Sequence, residues 1–175
     1  MSDLVFEAAR QEHAKAIERM RNACSEDLTE KLGQGHWSGK SHLQSIRERI
    51  DLGNPEALRP KALFVATQDG QPVGSIAVNT WPPGFWKREL WQEPKALAAG
   101  VFDLVVFPEL QGKGVGRFLM ESVEDRARER GIGWVRLDAY QANPISNGFY
   151  KAIGYEDRGV IDVHGVPLVL YEKAL

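Results

Sequence analysis

The stretch LVVFPELQGKGVGRFLM, residues 104–120, decides how the rest of the chain is read. It joins the end of an apolar run (residues 98–107, AAGVFDLVVF) to the start of a helix-spaced pattern. The apolar run predicts a buried central strand. After it, Val115, Phe118, Leu119, Val123 and Ala127 fall on one face of a helix predicted over 114–130, with charges on the other face. Glu124 and Arg128 form an i, i+4 pair in the favourable order, and Gly131 is placed to end the helix. The first N–H groups of such a helix lack intrahelical partners, and its dipole is positive at that end. Gly112, Gly114 and Gly116 remove side chains that would keep an anion from the backbone, and Lys113 and Arg117 add positive charge. The segment predicts an anion pocket suited to a pyrophosphate.

Two well-known phosphate loops do not fit. A P-loop needs Ser or Thr after the lysine, and residues 111–117 have neither. Gly39-Lys40-Ser41 has that ending, but Gln34 stands where the first glycine belongs and polar sequence precedes it. A dinucleotide fingerprint starting at Gly112 would need its last glycine at Arg117, and the 108–110 spacer is foreign to it. The pattern Gln/Arg-x-x-Gly-x-Gly/Ala is matched by Gln111, Gly114 and Gly116, between a strand and a helix.

Outward from this centre, residues 134–140 predict a strand. Asn143-Pro144 opens a short helix, with Asn as N-cap and Pro at the first position, and Gly154 closes it. Residues 155–160 and 167–173 predict two strands around the His164-Gly165 turn. Towards the N-terminus, residues 62–67 and 73–79 predict a hairpin around the turn signal at 69–72. Residues 11–23 and 41–52 predict helices, and 25–41 a loop or a short helix with a loop. Residues 4–9 predict a first strand. Residues 80–95, holding Trp81, Trp86 and Trp91 among three prolines, predict a long connection with a helical piece at most. The order implies one domain over 1–175, of α/β (α+β) class. Its centre is a mixed sheet of about six to seven strands flanked by about four helices, with a right-handed parallel crossover at 98–140.

With that order on the page, the chain resembles the GNAT superfamily of N-acetyltransferases. The resemblance covers nearly the whole chain in element order and is most specific over 98–155. There LVVFPELQGKGVGRFLM looks like the family's central strand, pyrophosphate loop and helix. NPISNGFYKAIGYE looks like its second cofactor-contacting helix, with Tyr150, Gly154 and Tyr155 in the family's spacing. The resemblance implies splayed fourth and fifth strands and acetyl-CoA as cofactor. It implies backbone contacts to pantetheine from Leu104, Val105 and Val106. Pyrophosphate contacts would come from Gln111, Gly112, Lys113, Gly114, Val115, Gly116 and Arg117. Asn143 and Ser146 would lie along the pantetheine arm, with Tyr150 near the thioester sulfur as proton donor.

Each assignment has a plainer counterpart. Leu104, Val105 and Val106 fit a buried strand, Asn143 an N-cap, and Tyr150 a packed core tyrosine. Asp103 is an acid in an apolar run. With Val101 and Asp103 assigned to one strand face together with Val105, it is a candidate base for the acceptor amine, or a buried acid bonded to a basic side chain. Glu109, in a solvated loop, is a weaker candidate. Trp37, Trp81 and Trp86 are candidates for acceptor contact, or for packing connections onto the sheet. His36 and His42 lack an acid partner, so no metal is expected.

The implied reaction is acetyl transfer from acetyl-CoA to a primary amine of a small molecule or peptide, by direct attack in a ternary complex. The alternatives are a non-catalytic acyl-CoA sensor, and a protein N-terminal or lysine acetyltransferase. A formal net charge of -2 gives no cationic excess for a nucleic-acid partner. No apolar run reaches the roughly 18–20 residues needed to span a bilayer, the beginning does not read as a signal peptide, and one cysteine excludes an internal disulfide. A cytoplasmic protein, with a homodimer allowed, is the expectation.

Overall fold

Strand β4, Ala98–Val106, runs through the middle of a seven-stranded sheet. The computed structural model describes residues 3–175. On one side of β4 lie β3 (Gln71–Asn79), β2 (Ala62–Gln68) and β1 (Val5–Ala8), all antiparallel. On the other lie β5 (Trp134–Tyr140), β7 (Val166–Ala174) and β6 (Glu156–Val163). Among the described residues only β4 and β5 run parallel, joined by α3 (Val115–Glu129), as a strand–helix–strand crossover requires.

The helices divide between the two faces. A core of Phe64, Ile76, Val101, Leu119, Val123 and Leu137 lies between the sheet and α3, with Tyr150 of α4 (Pro144–Ala152) joining it. The opposite face packs Ile17 of α1 (Ala14–Leu32) and Ile46 of α2 (Leu43–Leu52) onto Leu63, Val65 and Ala77. Beside that second core, Trp86 and Trp91 bury against Ile161, Leu168 and Leu170.

Local chemistry sets most boundaries. Both α3 and α4 end in the same glycine turn. Gly131 has φ 68°, its N–H donates to the Arg128 carbonyl at 2.9 Å, and Ile132 N–H reaches back to Ala127 at 3.0 Å. Gly154 has φ 89°, and Tyr155 N–H reaches the Tyr150 carbonyl at 3.0 Å. Asn143 caps α4 by accepting from the N–H groups of Ile145 and Ser146 at 3.1 and 3.2 Å.

Three expectations change. The segment from 25 to 32 is not a loop: α1 continues to Leu32. Its polar residues are held locally, with Thr29 Oγ1 donating to the Ser25 carbonyl at 2.7 Å and Lys31 paired with Asp27 at 2.7 Å. Glu124 is not on a solvated face. It is 3% exposed, accepts from Tyr155 Oη at 3.0 Å, and meets Lys173 Nζ at 2.8 Å, while Arg128 stays 3.9 Å away.

The third change concerns Asp103. Pairing jumps from Ala77–Phe102 to Ser75–Val105, so Asp103 and Leu104 together oppose Ile76 in a β-bulge. Asp103 has φ 51°, in the left-handed region. The bulge breaks strict alternation. Val101 and Val106 face the α3 core, Phe102 packs on the opposite face, and the Asp103 carboxylate meets Arg21 of α1 and Arg49 of α2. Val101, Asp103 and Val105 therefore do not share a face.

The connection from 80 to 97 is tied down by a buried ion cluster. Glu172 on β7 is 0% exposed. It accepts from Gln92 N–H at 2.7 Å and pairs with Arg136 at 3.2 Å and Arg158 at 2.7 Å. Arg136 also donates to the carbonyls of Glu93 and Ala96. Removing one member of such a cluster strands the others without water. Glu172→Ala is expected to cost about 3–5 kcal/mol in urea unfolding; a loss below about 1 kcal/mol would show that the cluster is solvated.

Candidate active site

β4 and β5 pair only from Ala98–Trp134 to Val101–Leu137. Beyond that, β4 continues against β3 and β5 against β7, without pairing with each other. A gap therefore opens inside the sheet, edged by Leu104, Val105 and Val106 on one side and by residues 138–140 on the other. The Val106 carbonyl has two partners: Cys24 Sγ donates at 3.0 Å and Gln111 Nε2 at 3.3 Å. The side chain of Gln111 thus anchors the loop to the strand.

The chain leaves β4 through a short 3-10 turn, Pro108–Leu110, and enters the glycine loop. Gly112 and Gly114 have φ 74° and 91°, and a Cβ on either would meet nothing within 4 Å. Gly114 is the N-cap of α3, no side chain caps that end, and the first turn holds no acid. The first N–H groups, from Val115 to Arg117, thus face an open surface at the positive end of the helix. Gly116 is constrained differently, because a Cβ there would lie 3.4 Å from the Phe149 ring. Lys113 and Arg117 flank the loop, and Arg117 is only 3.9 Å from Glu121 in an exposed pair. This is a cradle for a phosphate-bearing group, and its residues fit one.

Across the gap, α4 brings Asn143, Ser146 and Tyr150 to β5. The Asn143 carboxamide oxygen is occupied by capping, and Ser146 Oγ donates to the Asn143 carbonyl at 3.2 Å. Tyr150 is buried among Phe149, Tyr155 and Tyr171 at ring distances of 5.3–6.0 Å. Burial pushes its phenol well above the ordinary value, with the Asp138 carboxylate adding to the effect, so it stays protonated.

Asp138 is not singled out by the sequence. It sits on β5 just past the last pair with β4, half-buried, and accepts from Trp86 Nε1 at 2.7 Å. Burial pushes its carboxyl above the ordinary value, the Trp86 bond opposes this, and the Asp103 charge reinforces it. Asp103 differs. Burial pushes it up too, but the guanidiniums of Arg21 and Arg49 outweigh this and hold it below the ordinary value. Asp103 on β4 and Asp138 on β5, at the mouth of the gap where the two strands part, thus have basicities driven apart.

The tryptophans separate as well. Trp37 lies edge-on to Tyr140 at 5.7 Å, beside His36 at 5.8 Å from the same ring, so the 33–39 loop reaches over the end of β5. Trp86 is 4% exposed and stacks on Phe102 at 5.6 Å. A cavity of about 310 Å³ lies beyond it, between Trp91, Arg136 and the start of β4. Trp81 is exposed and pairs with the Arg59 guanidinium at 5.0 Å, with no ring contact to the mouth. Among the described residues no group of three His, Cys, Asp or Glu side chains is arranged to hold a metal ion, and no helix is long and apolar enough to cross a membrane.

Known proteins resemble this chain in sequence and in fold. An uncharacterized N-acetyltransferase of Methanocaldococcus jannaschii is 30% identical over 99 residues, covering 56% of this chain and 40% of that protein. The chain thus spans well under half the length of that relative. An IAA acetyltransferase of Azospirillum brasilense is 29% identical over 154 residues, covering 86% of this chain and 87% of its own. The solved PaiA N-acetyltransferase of Thermoplasma acidophilum, in complex with coenzyme A, shares the fold with TM-score 0.69 at 17% identity, over 99% of each chain. The family model for acetyltransferases of the GNAT family matches residues 17–155, which span the glycine loop, the strand gap and α4, and the chain belongs to that family.

Proposed function

We propose that this chain is an N-acetyltransferase that moves the acetyl group of acetyl-CoA to a primary amine of a small molecule or peptide, by direct attack in a ternary complex. One observation carries the reading. The gap between β4 and β5 joins a glycine-lined, uncapped helix N-terminus to a half-buried acid and a buried phenol.

Bound acetyl-CoA supplies an activated acyl carbon and a thiol leaving group. The chain's own groups do the rest. Backbone N–H groups of Gly112 and of residues 114–117 hold the pyrophosphate, with the Lys113 and Arg117 side chains adding charge. Leu104 offers backbone groups to the pantetheine arm; the Val105 carbonyl is turned towards β3, and the Val106 carbonyl is already engaged. Asn143 keeps its amide N–H groups for the same arm, and Ser146 stands one turn away. A lysine-type amine, with pKa about 10.4, is mostly charged at neutral pH. Asp138 Oδ takes its proton, directly or through water. Asp103, tied to two guanidiniums, is the weaker base and orients them instead. Tyr150 Oη returns a proton to the departing sulfur. Trp37 and Tyr140 roof the acceptor and Trp86 floors it.

Acetyl-CoA binding by calorimetry tests the cradle. Micromolar affinity is expected for the parent and none for a folded Gly114→Glu, Gly116→Glu double variant; no binding to the parent would sink the reading. For the chemistry, Asp138→Asn is expected to lower turnover about 10²-fold or more, and Tyr150→Phe about 10-fold or more, with acetyl-CoA affinity kept. The sign for pH follows from burial. Asp138 must be ionised to act, so the rate falls as pH drops through a pKa raised above the ordinary aspartate value, and Asp138→Asn loses that acid limb. Stability goes the other way. A raised folded pKa means that the charged form destabilises the native state once pH exceeds it. Asp138→Asn, which keeps an acceptor for Trp86, is therefore expected to unfold at the same or a higher urea concentration at pH 7. A lower midpoint would make Asp138 a structural acid.

A further inference from the structure

A second cavity, of about 190 Å³, lies between α1, the 40–42 segment and α2. Its charged and polar lining is Arg21, Lys40, Ser41, His42, Ser45 and Arg49, with no acid among them. Arg21 and Arg49 both reach the same oxygen of Asp103, so two guanidiniums share one carboxylate. Arg21 is further fixed by its Nε bond to Ser41 Oγ at 2.8 Å. Arg49 commits only Nη1; among the described residues its Nε and Nη2 have no partner. Those two nitrogens form the fork that matches a carboxylate or phosphate edge. The nearby acids are already engaged. Glu18 accepts the Leu43 N–H at 2.9 Å, and Glu26 lies 3.7 Å from Lys40 in a pair exposed on both sides.

Asp103 links the cavity to the mouth of the gap. Asp103, which holds both guanidiniums, follows Phe102, on which Trp86 stacks, and its charge is felt at Asp138 and Tyr140. An amine resting at Asp138 would carry the rest of its molecule past Asp103 towards Arg49.

We propose that the acceptor is an amine that also bears an anionic group, a carboxylate or a phosphate, and that Arg49 receives this group, with Arg21, Lys40 and His42 around it. This rests on the acetyl-transfer reading and narrows its substrate class. A polyamine, with positive charge at both ends, would meet guanidiniums where it needs acids.

The test uses products, so it does not depend on turnover. The full chain, saturated with coenzyme A, is titrated calorimetrically with a panel of N-acetyl amino acids, the methylamide of each, and N-acetyl-O-phosphoethanolamine. The anionic members are expected to bind about tenfold or more tighter than the amides. The phosphate arm identifies which anion is preferred. Arg49→Gln is expected to erase the preference while leaving coenzyme A affinity unchanged. Lys40→Ala, at an exposed position, is expected to weaken it about threefold. Equal binding of acids and amides, no binding of any anion, or a preference that survives both Arg49→Gln and Arg21→Gln would overturn the proposal. Failure of the acetyl-transfer reading would appear separately, as absence of coenzyme A binding to the parent.

Discussion

Two parallel strands that begin as partners and then part are the constraint on which this molecule depends. A sheet interior tolerates such a break only if the freed backbone groups find other partners or a ligand. Here β4 and β5 each keep a neighbour on the outer side, so neither strand is lost. The Val106 carbonyl, at the inner edge, is met by a thiol from α1 and a carboxamide from the glycine loop. The bulge at Asp103 supplies the local change of direction, and its carboxylate is pinned by arginines from both helices of that face. Loop, gap and helices are thus one mechanical unit.

Polar residues buried in this unit act over long sequence separations. Glu172 joins β7 to β5, to β6 and to the 80–97 connection. Glu124 joins α3 to Tyr155 and Lys173. A connection rich in proline and tryptophan would otherwise hang loosely beside the sheet. Instead its backbone is hydrogen-bonded to side chains on the strands, and Trp86 and Trp91 fill the space beneath. The connection is therefore as well determined as a strand.

Elements with a local signal were legible in the sequence. The glycine loop, the amphipathic face of α3, the Asn143 cap, the two glycine helix ends and the hairpin at Asp69-Gly70 all follow from neighbours in the chain. What stayed hidden depended on distant partners. Residues 25–32 are the exception: they look too polar for a helix, yet what holds them is local, Thr29 bonding to Ser25 and Lys31 to Asp27. Asp138, in WVRLDAY, looks like the polar step of an alternating strand, and only the parting of β4 and Trp86 makes it a half-buried acid at the mouth of the gap. Asp103 was legible as an oddity, but its face was not, since a single left-handed residue reverses alternation without a mark in composition. Glu124 fits the exposed side of a helix until Lys173, 49 positions away, arrives against it.

Cys24 has a practical side. It is the chain's only cysteine, 7% exposed, with a thiol that burial pushes up to about 11 while its proton is directed at the Val106 carbonyl. In the folded protein it is a poor nucleophile towards disulfide reagents. A colorimetric reagent that counts free thiols therefore sees a silent protein, and any signal that grows with time belongs to small molecules in the mixture. When the strand edge around Val106 comes apart, the same sulfur is uncovered, so one dye reports turnover in the native state and integrity of the gap under denaturant.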